Sequence, residues 1–416
     1  MTPEFPIKRN TVLLAVAMAV NSATLQLVAA VSALTFVLVT GVESLLGLGP
    51  ALFLLSAALT SFPAGRLMDR VGRVPVLAAG FAVGSAGAAL TALGAWKAST
   101  WAAIPGFILI GAAGATGQLA RAAAGDMYPP ARRARGIAYV MFGAVFGAIL
   151  GPAVFSPIFR GRDLEAAELA VPWLAGAGMM VIALAVVLNV RPDPKKIAEA
   201  LEGRVRRVED PPDVAAPLRE LLRRPGVVPA MLAGVSSFAV MVSIMNLTGY
   251  VVVEHRGHAQ HLVFPIIGAH VLGMYLLMPV VGWMVDRIGR PPMLTGGLGL
   301  IAVSTAGLIW LDDVTPIAVL LFGLGLGWNF SFVAATTALA DLAAPHERGK
   351  LLGFNDLVAS FTGAAFVLLG GYVLDEAGVT ALALGASLVA LAPIAFILLL
   401  GRMPGPPVPE AAKLLP

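Results

Sequence analysis

Long apolar segments succeed one another along the whole chain, with short polar turns between most of them. The first half carries segments at about 11–40, 45–65, 74–95, 101–124, 136–158 and 171–190, and the second half at about 228–253, 261–283, 291–311, 315–340, 350–374 and 378–401. A helix of about 20 residues crosses the hydrocarbon core of a bilayer, and each segment reaches that length. The sequence therefore predicts an all-α membrane protein with 12 transmembrane helices.

The composition agrees with this interpretation. Hydrophobic residues make up 58% of the chain and charged residues 12%, and the mean hydropathy is +0.87, which is unlike a soluble domain. There is no cysteine, so a disulfide framework and a thiol-ligated metal site are both excluded. The run from Thr11 to Thr40 is too long for the apolar part of a signal peptide, and we predict that it is retained as the first span.

A charged stretch bracketed by glycines occurs twice, each time between the second and third apolar segments of its own half. The copies at 65–73 and 282–290 both read G-x-x-x-D-R-x-G-R. A charged turn this short between two spans must lie at a bilayer surface, because ions inside the hydrocarbon are costly. A second pair of turns, at 126–136 and 341–349, also repeats as an acidic residue, a proline and then Arg-Gly. Together they predict an internal duplication.

The duplication divides the chain into three parts. These are an N-terminal six-helix half at 1–190, a cytoplasmic linker at 191–226 and a C-terminal six-helix half at 227–416. The linker is polar and rich in Pro, Arg and Glu, with one short amphipathic helix predicted around 195–208.

Lysine and arginine are concentrated in the linker, the repeated turns and the terminal regions. The other side of the predicted membrane domain carries Lys97, Arg160, Arg162 and Arg256. By the positive-inside rule, the basic side is cytoplasmic, both termini are inside, and the protein lies in the inner (plasma) membrane. The net charge of +4 follows from this topology, so we expect no nucleic-acid partner.

The repeated loop resembles the signature of the major facilitator superfamily of secondary transporters, here most similar to uncharacterised bacterial drug or solute exporters. The resemblance covers the whole chain and implies alternating access, no enzymatic activity and no cofactor. It also implies that the first, fourth, seventh and tenth helices line a central cavity, while the charged loops act as a gate. The gating residues would be Gly65, Asp69, Arg70, Gly72, Arg73, Gly282, Asp286, Arg287, Gly289, Arg290, Asp126 and Arg135.

The fifth segment carries a further resemblance. Its run from Gly143 to Pro152 is similar to the glycine-proline motif of antiporters and drug exporters. Such glycines permit close helix approach, and the proline bends the helix at a domain interface. Two features depart from the exporter pattern: Phe155-Ser156 replaces a closing Gly-Gly, and the stretch 105–108 of the fourth segment has no arginine. The usual proton-coupling residue of exporters is therefore missing.

Polar side chains inside the predicted spans are the candidates for a substrate cavity. They are Asn21, Gln26, Gln118, Asn246, His270, Trp328 and Asn329. An unsatisfied amide at mid-depth is costly, which favours a cavity wall for Trp328 and Asn329. The alternatives are that Trp328 serves packing alone, and that His270 is a neutral histidine bonded to a backbone carbonyl.

Asp356 lies about 9 Å inside the eleventh segment at 1.5 Å per residue. A carboxylate at this depth marks by default a proton relay or ion site. We therefore predict proton coupling through Asp356, with His270 and Arg121 taking part, since the charge of a histidine can change near physiological pH. The alternative for Asp356 is an ion pair with Arg70, Arg73 or Arg121 that locks one conformation. Arg121 itself could instead extend to the membrane surface or pair with an anionic substrate group.

A histidine-rich stretch joins the seventh and eighth segments. It contains Glu254, His255, His258 and His261. Histidines at a spacing of three can ligate a metal ion, but the interpretation we favour is a solvated loop, and we predict no metal site.

The sequence thus predicts a proton-coupled secondary transporter that exports a small solute by alternating access, as an antiporter. One alternative is a proton-coupled importer of a nutrient or metal ion. Another is a lipid-translocating or non-transporting relative; the retained loop motifs, His270 and Asp356 argue against a non-transporting one, and a cavity open sideways to lipid would favour lipid translocation. No nucleotide-binding loop of the form G-x-x-x-x-G-K-[ST] is present, which disfavours an ATP-driven pump. The expected partners are a small-molecule substrate and membrane lipid, with the chain acting as a monomer.

Overall fold

The computed structural model describes residues 5–128, 133–160, 165–205, 216–343 and 347–400. In the N-terminal half the long helices are α1 (Ile7–Thr40), α2 (Leu48–Val71), α3 (Arg73–Trp96), α4 (Thr100–Gln118 and Ala120–Asp126), α5 (Arg133–Met141 and Gly143–Ile158) and α6 (Ala170–Leu188). In the C-terminal half they are α7 (Val227–Tyr250), α8 (Val263–Tyr275 and Met278–Ile288), α9 (Arg290–Gly307), α10 (Val314–Asp341), α11 (348–377) and α12 (379–400). Gly378, with a φ of 75°, separates α11 from α12.

Nine helices in the described part of the chain are long and apolar enough to cross a membrane, or ten when the bent α8 counts as one span. That count takes α11 and α12 as one helix, although Gly378 divides them. The shorter α9, with 18 residues, is the remaining helix. The predicted set of 12 transmembrane helices is therefore confirmed.

α8 differs from the single straight helix that the sequence predicts. Its two segments meet at an angle of 42° between Tyr275 and Met278. Pro279 accounts for the bend, because it has no N–H to donate to the carbonyl of Tyr275 and its ring clashes with that carbonyl. The bend turns the end of the first segment, with Tyr275, away from a regular helical path.

α1 is the most enclosed of the long helices, with 78% of its apolar window buried. It packs against α5 and α6 in its own half and against α7 in the other half. A Cβ on Gly143 would lie 2.2 Å from the carbonyl oxygen of Ala15, and a Cβ on Gly249 would lie 2.4 Å from that of Ala30. Glycine is therefore needed at both contacts for the backbones to approach this closely.

The helices end at two faces of the protein, a basic face and an opposite face. The basic face carries both ends of the linker and the two repeated charged stretches, 65–73 and 282–290, which are helical except at Gly72 and Gly289 and keep the name charged loops below. The opposite face carries the connection 251–262 between α7 and α8.

The two halves make contact near the opposite face. Gln260 Nε2 donates to a backbone carbonyl of α1 at 3.0 Å, and Ser156 Oγ of α5 donates to the carbonyl of His261 at 2.7 Å. The ring of Phe264 in α8 stacks on Phe155 of α5 with centroids 5.7 Å apart. These bonds and ring contacts join the halves at the opposite face.

The linker packs against both halves on the basic face. Its first helix, Pro194–Val205, contacts the N-terminal half, and Ile197 is fully buried there. The sequence predicts one linker helix, but the structure has a second short one, Leu218–Arg223, which packs on the C-terminal half. Beyond it, Arg224 Nη1 lies 2.7 Å from Glu347 Oε2, and this hydrogen bond raises the pKa of Arg224.

Candidate functional site between the halves

Gln26 lies where α1, α5 and α8 meet. Its Nε2 donates to the carbonyl of Gly147 in α5 at 2.7 Å. A Cβ on Gly268, in the other half, would lie 3.6 Å from Gln26 Oε1. This oxygen is buried and has no hydrogen-bond partner within the described residues. Gln26 therefore places an unused acceptor at the contact between the halves.

A cation of the N-terminal half faces two polar groups of the C-terminal half. Arg121, in the second segment of α4, lies within electrostatic range of the Asp356 carboxylate and of the Tyr275 hydroxyl. The ion pairs found in the described part of the chain are formed by other residues, so Arg121 and Asp356 are near without a direct contact. Asp356 is exposed, and Asn355 Nδ2 lies 3.5 Å from its Oδ1. Opposite charges from the two halves thus lie near each other without an ion pair.

An aromatic group lies beside this charged pair. Trp328 of α10 stacks on Phe332, with centroids 4.7 Å apart, and meets the ring of Tyr275 at 6.3 Å. The indole Nε1 of Trp328 is buried and has no hydrogen-bond partner among the described residues, and the same holds for both amide atoms of Asn329. Because burying polar groups without partners is costly, these atoms have hydrogen-bonding capacity that the described residues do not use.

Other predicted cavity residues are packed inside one half. His270 Nδ1 lies 2.9 Å from the carbonyl oxygen of Leu321 in α10, and the imidazole is fully buried. This is the backbone-bonded arrangement that the alternative interpretation of His270 describes. Asn21 is also fully buried, with its amide against Gly117 of α4 in the N-terminal half. The described contacts therefore do not bring Asn21 and His270 together.

Two further candidates lie in α4 and α7. Gln118 is half-buried at the end of the first segment of α4, three residues before Arg121. Asn246 is buried in α7, and its Nδ2 donates to the carbonyl of Val242 on the same helix at 2.7 Å. Asn246 thus uses at least one side-chain donor for a hydrogen bond within its own helix.

In the first copy of the charged loop, Arg73 joins several elements of the N-terminal half. Its Nε lies 2.6 Å from Asp126 Oδ2 at the end of α4, and its Nη1 donates to the carbonyl of Met68 at 2.8 Å. Gly72 has a φ of 106°, a region that favours glycine. Gly65 borders open space, and Arg70 is exposed. This copy therefore ties the start of α3 to α2 and α4.

The second copy repeats the main ion pair within the C-terminal half. Arg290 Nε lies 3.0 Å from Asp341 Oδ2, whereas its Nη2 is 3.8 Å from Asp286 Oδ1. Gly289 has a φ of 101°, and Gly282 borders open space. The guanidinium of Arg287 lies over the ring of Trp283, 5.3 Å from its centroid. The side chains of Asp69 and Arg135 lie outside the described part of the structure.

The histidines of the connection between α7 and α8 make separate contacts. His258 Nε2 lies 2.7 Å from the carbonyl oxygen of Asp312, and the ring of His255 meets Tyr250 edge-on at 5.7 Å. In the described ranges, no three His, Asp or Glu side chains are grouped so that they could hold a metal ion.

Sequence reasoning missed two residues of this region. Tyr275 occurs in an apolar run, which predicts a packing residue. Pro279 is the sequence feature that could have indicated an interruption of its helix. Asp193 lies in the polar linker, yet its carboxylate bonds to the start of α3. Its position directly before the linker helix is typical of a capping residue, and its Oδ1 accepts from the backbone N–H of Lys195 at 2.8 Å. No sequence feature indicates that it also reaches α3.

Twelve spanning helices, a repeated loop motif and a polar group between two halves define a two-repeat secondary transporter. The chain belongs to the Major Facilitator Superfamily, whose family model matches residues 12–269 and 262–415. It is 31% identical over 355 residues to the uncharacterized MFS-type transporter YdeG of Bacillus subtilis, covering 84% of this chain and 82% of that protein. It is also 31% identical over 379 residues to the riboflavin transporter RfnT of Brucella anthropi, covering 91% and 92%.

Solved structures of similar fold include a D-xylose-proton symporter, with a TM-score of 0.71, 17% identity and coverage of 94% of this chain and 97% of that chain. At this identity the match supports the fold alone. The predicted family, and the prediction of a transporter rather than an enzyme, are confirmed.

Proposed function

We propose that this protein exports a small organic solute by alternating access, in exchange for protons, and that it acts as a monomer. The observation that carries this proposal is the opposition of Arg121 in one half and Asp356 in the other without a direct ion pair. A cation favours the ionised form of a neighbouring carboxyl group. Movement of the halves that changes the distance between these residues therefore changes how strongly Asp356 holds a proton.

The contacts between the halves support alternating access. They lie near the opposite face, as with Ser156 and His261, whereas the ion pairs of the basic face, such as Arg73 with Asp126, lie within one half. In this arrangement the carrier is closed at the opposite face. We assign the basic face to the cytoplasm, with both termini inside, because it carries most of the lysine and arginine.

The glycine-proline run of α5 supports the exporter direction. A Cβ on Gly268 of α8 would lie 2.8 Å from the carbonyl of Ala148 and 3.1 Å from the Pro152 ring. The motif that resembles that of antiporters therefore forms a direct contact between the halves, where it can transmit their movement.

The substrate class follows from the aromatic group beside the charged pair. Trp328, Phe332 and Tyr275 offer ring faces, and Asn329 offers an unused donor and acceptor. A flat heteroaromatic solute matches this chemistry. The similarity to a riboflavin transporter makes riboflavin the first probe.

The test uses proteoliposomes with an imposed pH gradient. We expect the natural chain to accumulate riboflavin, or a heteroaromatic hit from a thermal-shift screen, against its gradient. Asp356→Asn should abolish this accumulation but preserve downhill exchange. Glu376→Gln, at an exposed carboxylate of the same helix, is the control and should behave as the natural chain. An Asp356→Asn variant that still concentrates substrate would remove Asp356 from the mechanism.

A further inference from the structure

The first residues of the linker are bonded to both ends of the α2–α3 loop. Asp193 Oδ1 accepts from the backbone N–H of Arg73 at 3.1 Å, and Oδ2 accepts from that of Val74 at 2.8 Å. Lys195 Nζ donates to the carbonyl of Arg70 at 3.1 Å. The linker thus supplies an anion to the first turn of α3 and a cation to the last turn of α2.

These contacts satisfy helix ends that need partners. The first N–H groups of a helix have no acceptor within the helix, and a side-chain oxygen that accepts from them stabilises the helix. Both charges also match the helix dipoles at the ends they contact. Asp193 therefore caps two helices: its Oδ1 also accepts from the backbone N–H of Lys195 in the linker helix at 2.8 Å, while the amides of α3 that it binds lie about 120 residues away along the chain.

The second copy of the loop has one donor fewer at the matching positions. There, α9 begins Arg290-Pro291-Pro292, in register with Arg73-Val74-Pro75 of the first copy. Pro291 has no N–H, so the donor that Val74 presents to Asp193 does not exist in the C-terminal half. At this position of the helix start, the N-terminal half has an N–H that a linker carboxylate accepts, whereas the C-terminal half has a proline with no N–H.

The space around the two loop glycines agrees with this difference. A Cβ on Gly72 would lie 2.8 Å from Asp193 Oδ2, whereas a Cβ on Gly289 would meet its nearest atom, on Pro292, at 3.9 Å. The carboxylate is thus seated directly against the turn. Nearby, Asn10 Nδ2 of α1 donates to the carbonyl of Pro192 at 3.3 Å, which holds this part of the linker to the N-terminal half.

We propose that Asp193 is a positioning residue for transport: it sets the conformation of the α2–α3 loop and thereby the rate at which the basic face closes. The inference rests on the proposed transport function for its kinetic part, but not for its structural part. The loop must meet the other half when the basic face closes. A loop with an uncapped helix start samples more conformations and closes less often, while the substrate site between the halves is unchanged.

The structural test is hydrogen–deuterium exchange of the full-length protein in detergent. Asp193→Ala should speed exchange in the first turn of α3, at 76–78, roughly tenfold, as expected for the loss of a helix cap. The double variant Asp193→Ala with Val74→Pro should exchange more slowly than Asp193→Ala, because one of the two uncapped donors of α3, the N–H of Val74, is removed and proline suits the first turn. Asp313→Ala is the control: Asp313 precedes α10 but caps it with no side-chain bond among the described residues.

The kinetic test measures transport per folded carrier in proteoliposomes. Asp193→Ala should lower the maximal rate about tenfold, leave the KM within about twofold, and be partly rescued by Val74→Pro. A cap that served folding alone would reduce the yield of folded carrier and leave the rate per folded carrier unchanged.

Unchanged exchange at 76–78 in Asp193→Ala, or failure of Val74→Pro to restore either exchange or rate even in part, overturns the proposal. If the natural chain transports none of the probes, the proposed substrate fails. The exchange experiment then decides by itself whether Asp193 sets the loop conformation.

Discussion

The two copies of the charged loop have the same sequence pattern but different partners. In the N-terminal half, Arg73 bonds Asp126 at 2.6 Å, and the linker residue Asp193 caps the helix that follows. In the C-terminal half, Arg290 meets Asp341 at 3.0 Å, and Pro291 has no N–H at the position where Val74 donates to Asp193. The duplication therefore conserves the arginine–carboxylate pair, whereas the stabilisation of the helix start has diverged.

The linker also contacts the two halves in different ways. Asp193 binds the backbone of the first charged loop itself, whereas Glu347, the partner of Arg224, lies between α10 and α11, outside the second charged loop. A change in the first part of the linker therefore reaches a gating loop directly. A change in the second part reaches the C-terminal half at another turn.

The largest difference between the copies is expected from their arginines. Arg73→Ala removes the shorter ion pair, in which both side chains are mostly buried, and the bond to Met68. It should lower the free energy of unfolding by about 2 kcal/mol, against about 1 kcal/mol for Arg290→Ala, whose partner is more exposed. Denaturation in mixed detergent measures both, and equal losses would contradict the difference between the loops.

The acidic positions of the two copies should differ in transport. Asp69→Asn should lower the transport rate about tenfold, or roughly 1.4 kcal/mol in barrier, with nearly unchanged substrate affinity, because the proposed role is gating. Asp286→Asn should change the rate less, since Asp286 is largely exposed and 3.8 Å from Arg290. Collapse of affinity in Asp69→Asn, with no shift in conformation, would refute the gating role.

Replacing Pro291 by valine, the residue at the matching position of the first copy, should have a smaller effect on stability. Pro291→Val creates an N–H at the start of α9 with no linker carboxylate beside it. It should destabilise the C-terminal half by about 1 kcal/mol, the usual scale of a missing cap, visible as faster hydrogen exchange at 293–296. Exchange as slow as in the natural chain would mean that the second copy has a cap of its own.

The smallest effect concerns the second contact of the linker. Glu347→Gln keeps an acceptor for the N–H of Ala216 but removes the charge that bonds Arg224. Because the Arg224 side chain is about one third exposed, the loss should be about 0.5–1 kcal/mol in unfolding free energy, with transport unaffected. A strong loss of transport would show that this contact also serves the gate.

The sequence was sufficient for the helices, because their apolar length is a local property. Arg121 and Asp356 were singled out because ionisable residues inside spans are rare, and their role in proton coupling stays a prediction. The bend in α8 was readable in principle from Pro279. The partners of a polar residue were not readable: the bond of His270 to Leu321 and that of Asp193 to Val74 join residues distant in sequence.

The central claim is that the halves close alternately at the two faces, and the lack of native cysteine allows it to be measured by spin labelling. One pair, Arg160→Cys with Asp313→Cys, reports on the opposite face, and another, Lys196→Cys with Glu220→Cys, reports on the basic face. All four sites are exposed. On lowering the pH or adding substrate, we expect the distance of one pair to lengthen while that of the other shortens, and Asp356→Asn to abolish the pH response. Distances that lengthen together, or that ignore both pH and substrate, would contradict alternating access in this protein.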